Sequence, residues 1–167
     1  MIFVTVGTHE QPFNRLVEYV DKLKEKKVIN EEVVIQTGFS TYEPRNCAWK
    51  QLFPYQDMVK YVEEARIVIT HGGPSSFIMP LQIGKIPIVV PRQKQFNEHV
   101  NNHQVEFVKA VAEKQGNIIA VEDITNLQNV ILDYDLIVGT MPSGQNSNNA
   151  KFNEEFGRLV NGLFHAK

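Results

Sequence analysis

Short runs of β-branched and aliphatic residues alternate along the chain with longer stretches in which apolar residues recur every three to four positions. The short runs have the length of buried strands, and the longer stretches have the period of amphipathic helices. This alternation is typical of successive βαβ units, whose parallel strands form one sheet covered by helices. The pattern therefore predicts an α/β fold: a single Rossmann-like, doubly wound parallel sheet of about six strands, followed by a C-terminal helix.

The same pattern places the individual elements. Strands are predicted at residues 2–6, 33–36, 48–53, 67–70, 87–90 and 118–121. Helices are predicted at residues 12–27, 56–64, 75–83, 97–115 and 124–132. Proline, serine, glycine and asparagine dominate residues 140–150, which predicts a linker between a domain of residues 1–139 and a last helix within residues 151–167. The apolar face of that helix suits packing either on its own domain or on a partner.

Composition narrows the class of protein. The chain has 167 residues, of which 43% are hydrophobic, and a formal net charge of -2, which suits one compact domain. Acidic and basic residues are interleaved, so the charge pattern does not favour nucleic acid as a partner. A single cysteine, Cys47, excludes an internal disulfide, and no apolar run approaches the roughly 20 residues that cross a bilayer. We therefore expect a cytoplasmic chain.

Gly7, Thr8 and His9 lie between the first predicted strand and the first predicted helix. Glycine permits a tight turn there, and the unpaired N–H groups of a helix N-terminus attract phosphate. The loop lacks both the glycine fingerprint of dinucleotide sites and the Gly-Lys-Ser/Thr of a Walker loop. Two interpretations therefore stay open: a glycine needed only for the turn, or an anion site.

A second strand-to-helix loop has the sequence THGGPSS. Gly72 and Gly73 permit close backbone approach, and Ser75 and Ser76 add hydroxyl groups near a helix N-terminus, which predicts an anion-binding loop. His71 lies at the carboxyl end of a strand, where open α/β sheets bind ligands, and this favours a site role over that of a core histidine. No Gly-x-Ser-x-Gly elbow is present, so a serine hydrolase is not indicated.

Polar side chains crowd residues 91–104, which follow the next predicted strand and enter a predicted helix. His99 and His103 lie one turn apart on that helix, a spacing compatible with two metal ligands. A zinc site needs further ligands, and the same spacing is common on solvated helices. A solvated or hydroxyl-binding surface is therefore favoured over a metal site.

Several motifs together resemble a known family. The order HGGPSS, IGKIPIVVPRQ and EHVNNHQ resembles the C-terminal, sugar-donor-binding domain of GT-B glycosyltransferases, in the branch with the lipid II-forming transferase of peptidoglycan synthesis. Closer still, VTVGTHEQPFNRLV, FPYQDMVKYVEEARIVITHGG and VVPRQKQFNEHVNNHQ are similar to the catalytic subunit of split bacterial exopolysaccharide and capsule transferases. They are also similar to its counterpart, the UDP-GlcNAc transferase subunit of the dolichol pathway. The resemblance covers nearly the whole chain.

The resemblance implies roles for particular residues. Those implied to hold the diphosphate of a UDP-sugar are Gly7, Thr8, Gly72, Gly73, Ser75 and Ser76. Phe53 and Tyr55 are implied to lie near the uracil. The residues implied to contact the sugar or to shape its pocket are Glu98, His99, Asn102 and Gln104. The base is implied to be His9, His71 or a partner residue, since histidine titrates in a suitable range. Met79 departs from the family, because many relatives have an acidic residue there to hold the ribose.

The function implied is that of an inverting glycosyltransferase subunit, which moves galactose or a GlcNAc-like hexose from a UDP-sugar to a lipid-linked acceptor in polysaccharide biosynthesis. GT-B enzymes have two Rossmann-like halves, so a membrane-anchored partner is expected to bind the acceptor and to hold this chain at the inner face of the membrane. No metal or other cofactor is expected, because helix dipoles and backbone N–H groups can stabilise the leaving UDP. Two alternatives are a UDP-sugar-binding regulatory module without activity and a UDP-sugar epimerase-like enzyme.

Overall fold

The computed structural model describes residues 1–141. Its strands are β1 (Ile2–Thr5), β2 (Val33–Gln36), β3 (Ala48–Lys50), β4 (Ile67–His71), β5 (Ile88–Val90) and β6 (Ile119–Ala120). All six lie parallel in one sheet, in the order β3-β2-β1-β4-β5-β6. The predicted Rossmann-like parallel sheet is therefore confirmed, and every predicted strand overlaps an observed one.

Helices cover both faces of this sheet. They are α1 (Asn14–Glu25), α2 (Tyr55–Glu64), α3 (Pro74–Gln82), α4 (His103–Gln115), α5 (Leu127–Leu132) and α6 (Tyr134–Thr140). Side chains of alternate strand residues lie on opposite faces of the sheet and form two apolar layers. On one face, Ile2 and Val4 pack with α1, α5 and α6. On the other face, Phe3 packs with α2, and Val89 packs with α3 and α4. This double covering explains why the strands are apolar without interruption. None of the helices in residues 1–141 is long and apolar enough to span a membrane.

The order of the strands reverses at the centre of the sheet, between β1 and β4: β2 and β3 are added on one side, and β4, β5 and β6 on the other. β1 pairs with β2 on one side and with β4 on the other, so that Thr5 and Thr70 are register partners at the carboxyl ends of adjacent strands. Connections on the two sides of such a point run over opposite faces of the sheet. A crevice therefore opens outside these strand ends, and it is the ordinary ligand site of open α/β sheets.

The helix predicted at residues 97–115 is wrong over its first part. α4 begins only at His103, whereas Lys94–Phe96 form a 3-10 turn and Asn97 has a left-handed backbone with φ of 58°. Residues 98–102 consequently form an irregular loop. His99 and His103 are therefore not one helical turn apart. Among the described residues, no group of three or more His, Cys, Asp or Glu side chains is arranged to hold a metal ion.

Side-chain acceptors explain why this helix starts late. Asn102 Oδ1 accepts a hydrogen bond from the Lys94 N–H at 2.9 Å, and Asn101 Oδ1 accepts one from the His103 N–H at 2.9 Å. Short polar side chains that take up neighbouring N–H groups in this way compete with helix formation. The spacing of apolar residues does not reveal this competition. The predicted helix therefore extended too far towards the N-terminus.

The C-terminal part of the described chain also differs from prediction. A 3-10 turn at Ile124–Asn126 precedes α5, and α6, which was not predicted, follows it. The hydroxyl of Tyr134 donates to the Ile86 carbonyl at 2.5 Å, which attaches the first turn of α6 to the segment before β5. α6 ends at Thr140, the first residue of the predicted linker. The remainder of that linker from residue 142, and the helix predicted within residues 151–167, lie outside the described residues.

A buried carboxylate holds the long connection between β2 and β3. Asp21 of α1 is only 1% exposed. Its oxygens accept hydrogen bonds from the Tyr42 hydroxyl at 2.6 Å and from the N–H groups of Arg45 and Asn46 at 3.1 and 2.8 Å. One side chain on α1 thereby determines the path of a loop that its own sequence pattern left undefined.

Replacing Asp21 by alanine is expected to lower the free energy of unfolding by about 3 kcal/mol, because charge-assisted bonds are lost and two backbone N–H groups lose their acceptor. Urea denaturation measures the change. Glu18→Ala is the matched control, since Glu18 lies on the same helix but pairs with Lys22 at the surface. Equal shifts in the two midpoints would show that the Asp21 carboxylate has no special structural role.

Candidate functional site

A cleft of about 640 Å³ opens where β1 and β4 end. The predicted site residues that line it are Gly7, Thr8, His9, Phe53, Tyr55, His71, Ser75, Ser76 and Gln104. The predicted site residues outside this lining are Gly72, Gly73, Glu98, His99 and Asn102. The parallel sheet thus brings the two strand-to-helix loops together, as the topology requires, and adds the loop before α2 to the same cleft.

The imidazole of His71 lies between two glycines and is 6% exposed. A Cβ on Gly7 would lie 2.1 Å from His71 Nε2, and a Cβ on Gly73 would lie 2.4 Å from its Cε1. Gly7 also has a φ of +75°, a conformation that glycine adopts without strain. The sequence predicts a tight turn at Gly7 and close backbone approach at Gly73, and within this chain the histidine ring packs against both.

His71 is a neutral side chain in this site. Burial is the largest of the causes that lower the pKa of His71 to about 3, and the charges of Arg92, His9 and His99 lower it further, whereas a hydrogen bond with Gln104 opposes them. Ser76 Oγ lies 2.9 Å from Nε2 and pairs with it. A ring that is enclosed and so reluctant to accept a proton is a weak general base.

Gln104 ties the loop before α3 to the end of β5. Its Oε1 accepts hydrogen bonds from the Gly72 N–H at 3.1 Å and from the Arg92 N–H at 3.0 Å. A Cβ on Gly72 would lie only 3.0 Å from the Gln104 side chain. The resemblance implies that Gly72 helps to hold a diphosphate, and in this structure its N–H already has a partner within the chain. Ser75, in contrast, is exposed at the cleft.

Arg92 is fully buried and joins three segments at the carboxyl edge of the sheet. Its Nη2 donates to the Val6 carbonyl at 2.7 Å, and its Nη1 donates to the Gln11 carbonyl at 2.6 Å and to the Glu98 carbonyl at 3.2 Å. Burial lowers the pKa of Arg92 to about 10, against the opposing charge of Glu98, so the guanidinium stays charged at neutral pH. The sequence did not predict this role, because a charged residue within a polar segment is expected to be exposed to solvent.

The residues predicted to meet the sugar have partners of their own. Both Glu98 carboxylate oxygens accept from the Arg15 guanidinium at 2.9 Å, and one also accepts from the Gln93 N–H at 3.1 Å. Glu98 is 2% exposed, so this ion pair is enclosed. Asn102 is exposed and holds the Lys94 N–H. Contacts of Glu98 and Asn102 with a sugar stay predictions, and the structure shows each side chain in an intramolecular role.

His9 and His99 come from loops far apart in sequence and stack on each other. Their ring centroids are 4.7 Å apart and the planes differ by 12°. His9 Nε2 also lies 2.9 Å from Gln11 Oε1. Burial is the largest cause that lowers the pKa of His99, with the charges of His9, Arg92 and His103 adding to it and a hydrogen bond with Asn101 opposing. Of the two histidines predicted as candidate bases, His9 is the more accessible, and it lines the cleft.

Phe53 and Tyr55 line the cleft where the chain enters α2. The Phe53 N–H donates to Gln36 Oε1 at 2.9 Å, and its ring packs against Phe3 and Tyr61. Tyr55, at the start of α2, is 73% exposed and has its ring free of the core. An aromatic ring presented at a cleft in this way provides a stacking surface for a base.

A second hollow of about 850 Å³ lies beside Arg15, near the end of β6. It is larger than the cleft, but several of its polar side chains are already engaged. Arg15 pairs with Glu98, Gln93 Nε2 donates to the Glu122 carbonyl at 2.7 Å, and the Asp123 carboxylate accepts from Thr125. The cleft at β1 and β4, with the accessible polar groups of both strand-to-helix loops, is therefore the candidate site.

Gly7→Ala is expected to destabilise the protein more than Gly84→Ala. Both glycines have a positive φ, of +75° and +79°, so each substitution carries the left-handed strain of about 1–2 kcal/mol. At Gly84 the new Cβ meets nothing within 4 Å, whereas at Gly7 it overlaps the His71 ring. Overpacking should add about 1–3 kcal/mol at Gly7, measured by urea denaturation. Equal losses would contradict the packing of His71 against Gly7.

The pKa of His71 predicts a loss of stability on acidification. Because the folded-state pKa is far below the unfolded value of about 6.5, the unfolded chain binds a proton that the folded chain excludes as the pH falls below 6.5. From pH 7 to pH 5 the wild type should lose about 2 kcal/mol from this residue alone. His71→Gln should lack this share of the pH dependence in urea denaturation. The same pH dependence in both proteins would show that His71 titrates normally in the folded state.

Comparison with known proteins identifies the family. Residues 1–156 match the model described as the glycosyltransferase family 28 C-terminal domain. The chain is 30% identical over 126 residues to the human "UDP-N-acetylglucosamine transferase subunit ALG13", a match that covers 70% of this chain and 10% of that protein.

A bacterial relative is the "UDP-N-acetylglucosamine--N-acetylmuramyl-(pentapeptide) pyrophosphoryl-undecaprenol N-acetylglucosamine transferase" of Bdellovibrio bacteriovorus. It is 31% identical over 101 residues, which cover 56% of this chain and 27% of that protein. The chain therefore spans about a quarter or less of the length of these curated relatives.

A solved structure has the same fold. The crystal structure of the glycotransferase of kitacinnamycin superposes with a TM-score of 0.52 at 15% identity, over 97% of this chain and 39% of that one. The parallel sheet, the cleft at its central strand ends and the match over residues 1–156 agree, and the chain belongs to the glycosyltransferase family 28 C-terminal domains.

Proposed function

We propose that the chain is the sugar-donor-binding catalytic subunit of an inverting glycosyltransferase, which moves a hexose from a UDP-sugar to a lipid-linked acceptor. The observation that carries this proposal is the cleft at the ends of β1 and β4, in a chain of this family. Its volume of about 640 Å³ lies within the ordinary range for small-molecule sites. The aromatic, hydroxyl and imidazole groups that line it suit a ligand with a base, phosphates and a sugar.

The diphosphate is proposed to lie at the N-terminus of α3. This helix begins at Pro74, and Ser75 and Ser76 in its first turn line the cleft. The positive end of the helix dipole and these hydroxyl groups attract an anion, and Thr8 adds a third hydroxyl from the facing loop. The same charge favours departure of UDP from the sugar, and we propose that no metal ion is required.

The uracil is proposed to stack near Tyr55 and to meet the backbone around Phe53. Gln36 holds the Phe53 N–H, so this loop is already ordered for binding. Met79, which lines the cleft, has no acceptor for ribose hydroxyls comparable to a carboxylate. The ribose in this proposal therefore relies on backbone groups or water.

Inversion requires a base that removes the proton of the acceptor hydroxyl while its oxygen attacks the anomeric carbon from the face opposite UDP. The new bond forms as the bond to the diphosphate oxygen breaks, and the electron pair leaves with UDP. His9 is the better candidate for this base, because it lines the cleft and is more exposed than His71. His71 is instead proposed to support the floor of the site.

A partner is proposed to complete the enzyme. The described residues form one Rossmann-like sheet, and the name of the human relative calls that protein a subunit. A membrane-anchored second chain would present the lipid-linked acceptor across the cleft and keep this chain at the inner face of the membrane. Both relatives have UDP-N-acetylglucosamine in their names, which supports a UDP-linked hexose of the GlcNAc or galactose type.

Binding and transfer are tested separately. Calorimetry with UDP, ADP and pyrophosphate should show tightest binding of UDP. The purified chain is then mixed with membranes and labelled UDP-galactose or UDP-GlcNAc, with and without the product of the neighbouring open reading frame. Labelled lipid only in the complete mixture supports the proposal. Conversion of the UDP-sugar by this chain alone would indicate an epimerase, and UDP binding without transfer in any mixture would indicate a regulatory module.

His9→Ala is expected to lower the transfer rate roughly 10²- to 10⁴-fold, the usual contribution of a general base, while UDP affinity changes little. Transfer of labelled sugar and calorimetry with UDP measure the two effects. His103→Ala is the control, because His103 is an exposed histidine outside the cleft. A His9→Ala rate within threefold of the wild type would exclude His9 as the base.

A further inference from the structure

We propose that Gln11 is a positioning residue for His9: its amide oxygen holds a proton on Nε2 and thereby makes Nδ1 the basic atom of the ring. The catalytic part of this inference rests on the proposed function, in which His9 is the base. The protonation pattern of the ring itself is independent of any transfer reaction and is measured on the free protein.

The orientation of the Gln11 amide is determined by a backbone carbonyl. Gln11 Nε2 donates to the Asn97 carbonyl at 3.3 Å. A carbonyl oxygen only accepts hydrogen bonds, so the NH₂ group of Gln11 must face it, and the amide oxygen must face the other way. The Asn97 carbonyl belongs to a closed turn, since the Asn97 N–H donates back to the Lys94 carbonyl at 2.9 Å. The partners of this amide therefore determine which of its two orientations is correct, with NH₂ towards the Asn97 carbonyl and Oε1 towards His9.

The amide oxygen in turn determines the tautomer of His9. Gln11 Oε1 lies 2.9 Å from His9 Nε2. Because Oε1 has no proton to give, the hydrogen bond forms only when Nε2 carries one. A neutral imidazole has a single N–H, so Nδ1 keeps its lone pair. The hydrogen bond is one link of a chain that runs from the Asn97 carbonyl through Gln11 to His9.

The plane of the ring is determined separately by His99. The two rings stack at 4.7 Å, and the Asn101 N–H donates to His99 Nδ1 at 3.4 Å, which requires a lone pair on that atom. Burial, first, and the neighbouring cationic groups lower the pKa of His99 and keep it neutral. With the plane set by the stack and the rotation within the plane set by Gln11, the position of His9 Nδ1 is defined.

Two other histidines and a buried arginine lie near His9. His99 stacks on it, and the electrostatic influence of His9 extends to the buried His71, with Arg92 acting on both of these neighbours. In the proposed step the proton of the acceptor hydroxyl moves to His9 Nδ1. The proton on Nε2 stays there and remains hydrogen-bonded to Gln11 Oε1. An amide orients the resulting imidazolium without taking up its proton.

Two substitutions distinguish positioning from simple tethering of the loop. Gln11→Glu keeps an acceptor for His9 Nε2 but loses the NH₂ group that binds the Asn97 carbonyl. Gln11→Met has similar length and loses both. The proposal predicts that the glutamate variant behaves like the wild type at His9 and that the methionine variant does not. If Gln11 only tethers residues 9–11 to Asn97, the two variants should fail equally.

The experiment uses the full chain labelled with nitrogen-15 histidine, without substrate, at about pH 9, well above the ordinary titration range of histidine. Ring nitrogen-to-proton correlation spectra identify the protonated nitrogen, and His9→Gln assigns the His9 signals. The wild type and Gln11→Glu should show a proton on Nε2, whereas Gln11→Met should shift towards a mixture of tautomers. A proton on Nδ1 in the wild type, or a Gln11→Met spectrum identical to that of the wild type, would overturn the proposal.

Transfer kinetics with the partner then test the catalytic part. Gln11→Met should lower kcat roughly 10- to 100-fold with KM for the UDP-sugar within threefold, and Gln11→Glu, which keeps an acceptor for His9 Nε2, should lose less kcat than Gln11→Met. Equal loss of kcat in both variants would overturn the positioning role. If the spectra agree with the expectation and no mixture shows transfer, the tautomer assignment is supported and the transferase proposal fails.

Discussion

The carboxyl edge of this sheet depends on one buried cation, the guanidinium of Arg92. It binds three backbone carbonyls, of Val6, Gln11 and Glu98, which belong to three separate segments around the cleft. Removing a charge from water costs several kcal/mol, and here carbonyl dipoles rather than a contacting carboxylate offset that cost. A planar guanidinium with several donors joins segments in fixed directions, which a lysine ammonium does not do. The two loops that carry His9 and His99 thereby have a common anchor.

The carboxylate nearest to Arg92 is held by a second arginine. Glu98 pairs with Arg15, and its charge still acts on Arg92 through space. The edge of the site thus contains two arginines that interact with one enclosed glutamate. Arg15 also lies over the Phe96 ring at 4.6 Å, so the pair is shielded on one side by an aromatic surface. Side chains of this polar segment thus hold the edge of the cleft together, and their contacts with a sugar stay a prediction.

The histidines illustrate how burial separates residues of one type. His71 is enclosed between Gly7 and Gly73, and burial lowers the pKa of its ring, which makes it a weak base. His9 lies in the facing loop, stacks on His99 and lines the cleft. The sequence predicts both as candidates because each follows a strand, and strand order alone does not reveal how much water reaches each ring. Only packing makes that distinction, since desolvation depends on neighbours from every segment.

The sequence by itself determined the parallel sheet, because alternation of apolar runs and amphipathic stretches is a local property, and residues 33–36 form β2 as predicted. It also determined that the loops at Gly7 and His71 share one edge, since adjacent parallel strands end together. The tertiary structure decided which polar groups remain available there. Three hydrogen bonds at this edge join residues 86, 83 and 86 positions apart: Arg92 to Val6, Arg15 to Glu98 and Gln11 to Asn97. A local pattern of apolar and polar residues does not indicate such distant partners. Residues 98–102 left the predicted helix for a different physical reason: hydrogen bonds of the Asn101 and Asn102 side chains to nearby backbone N–H groups outweighed the apolar pattern.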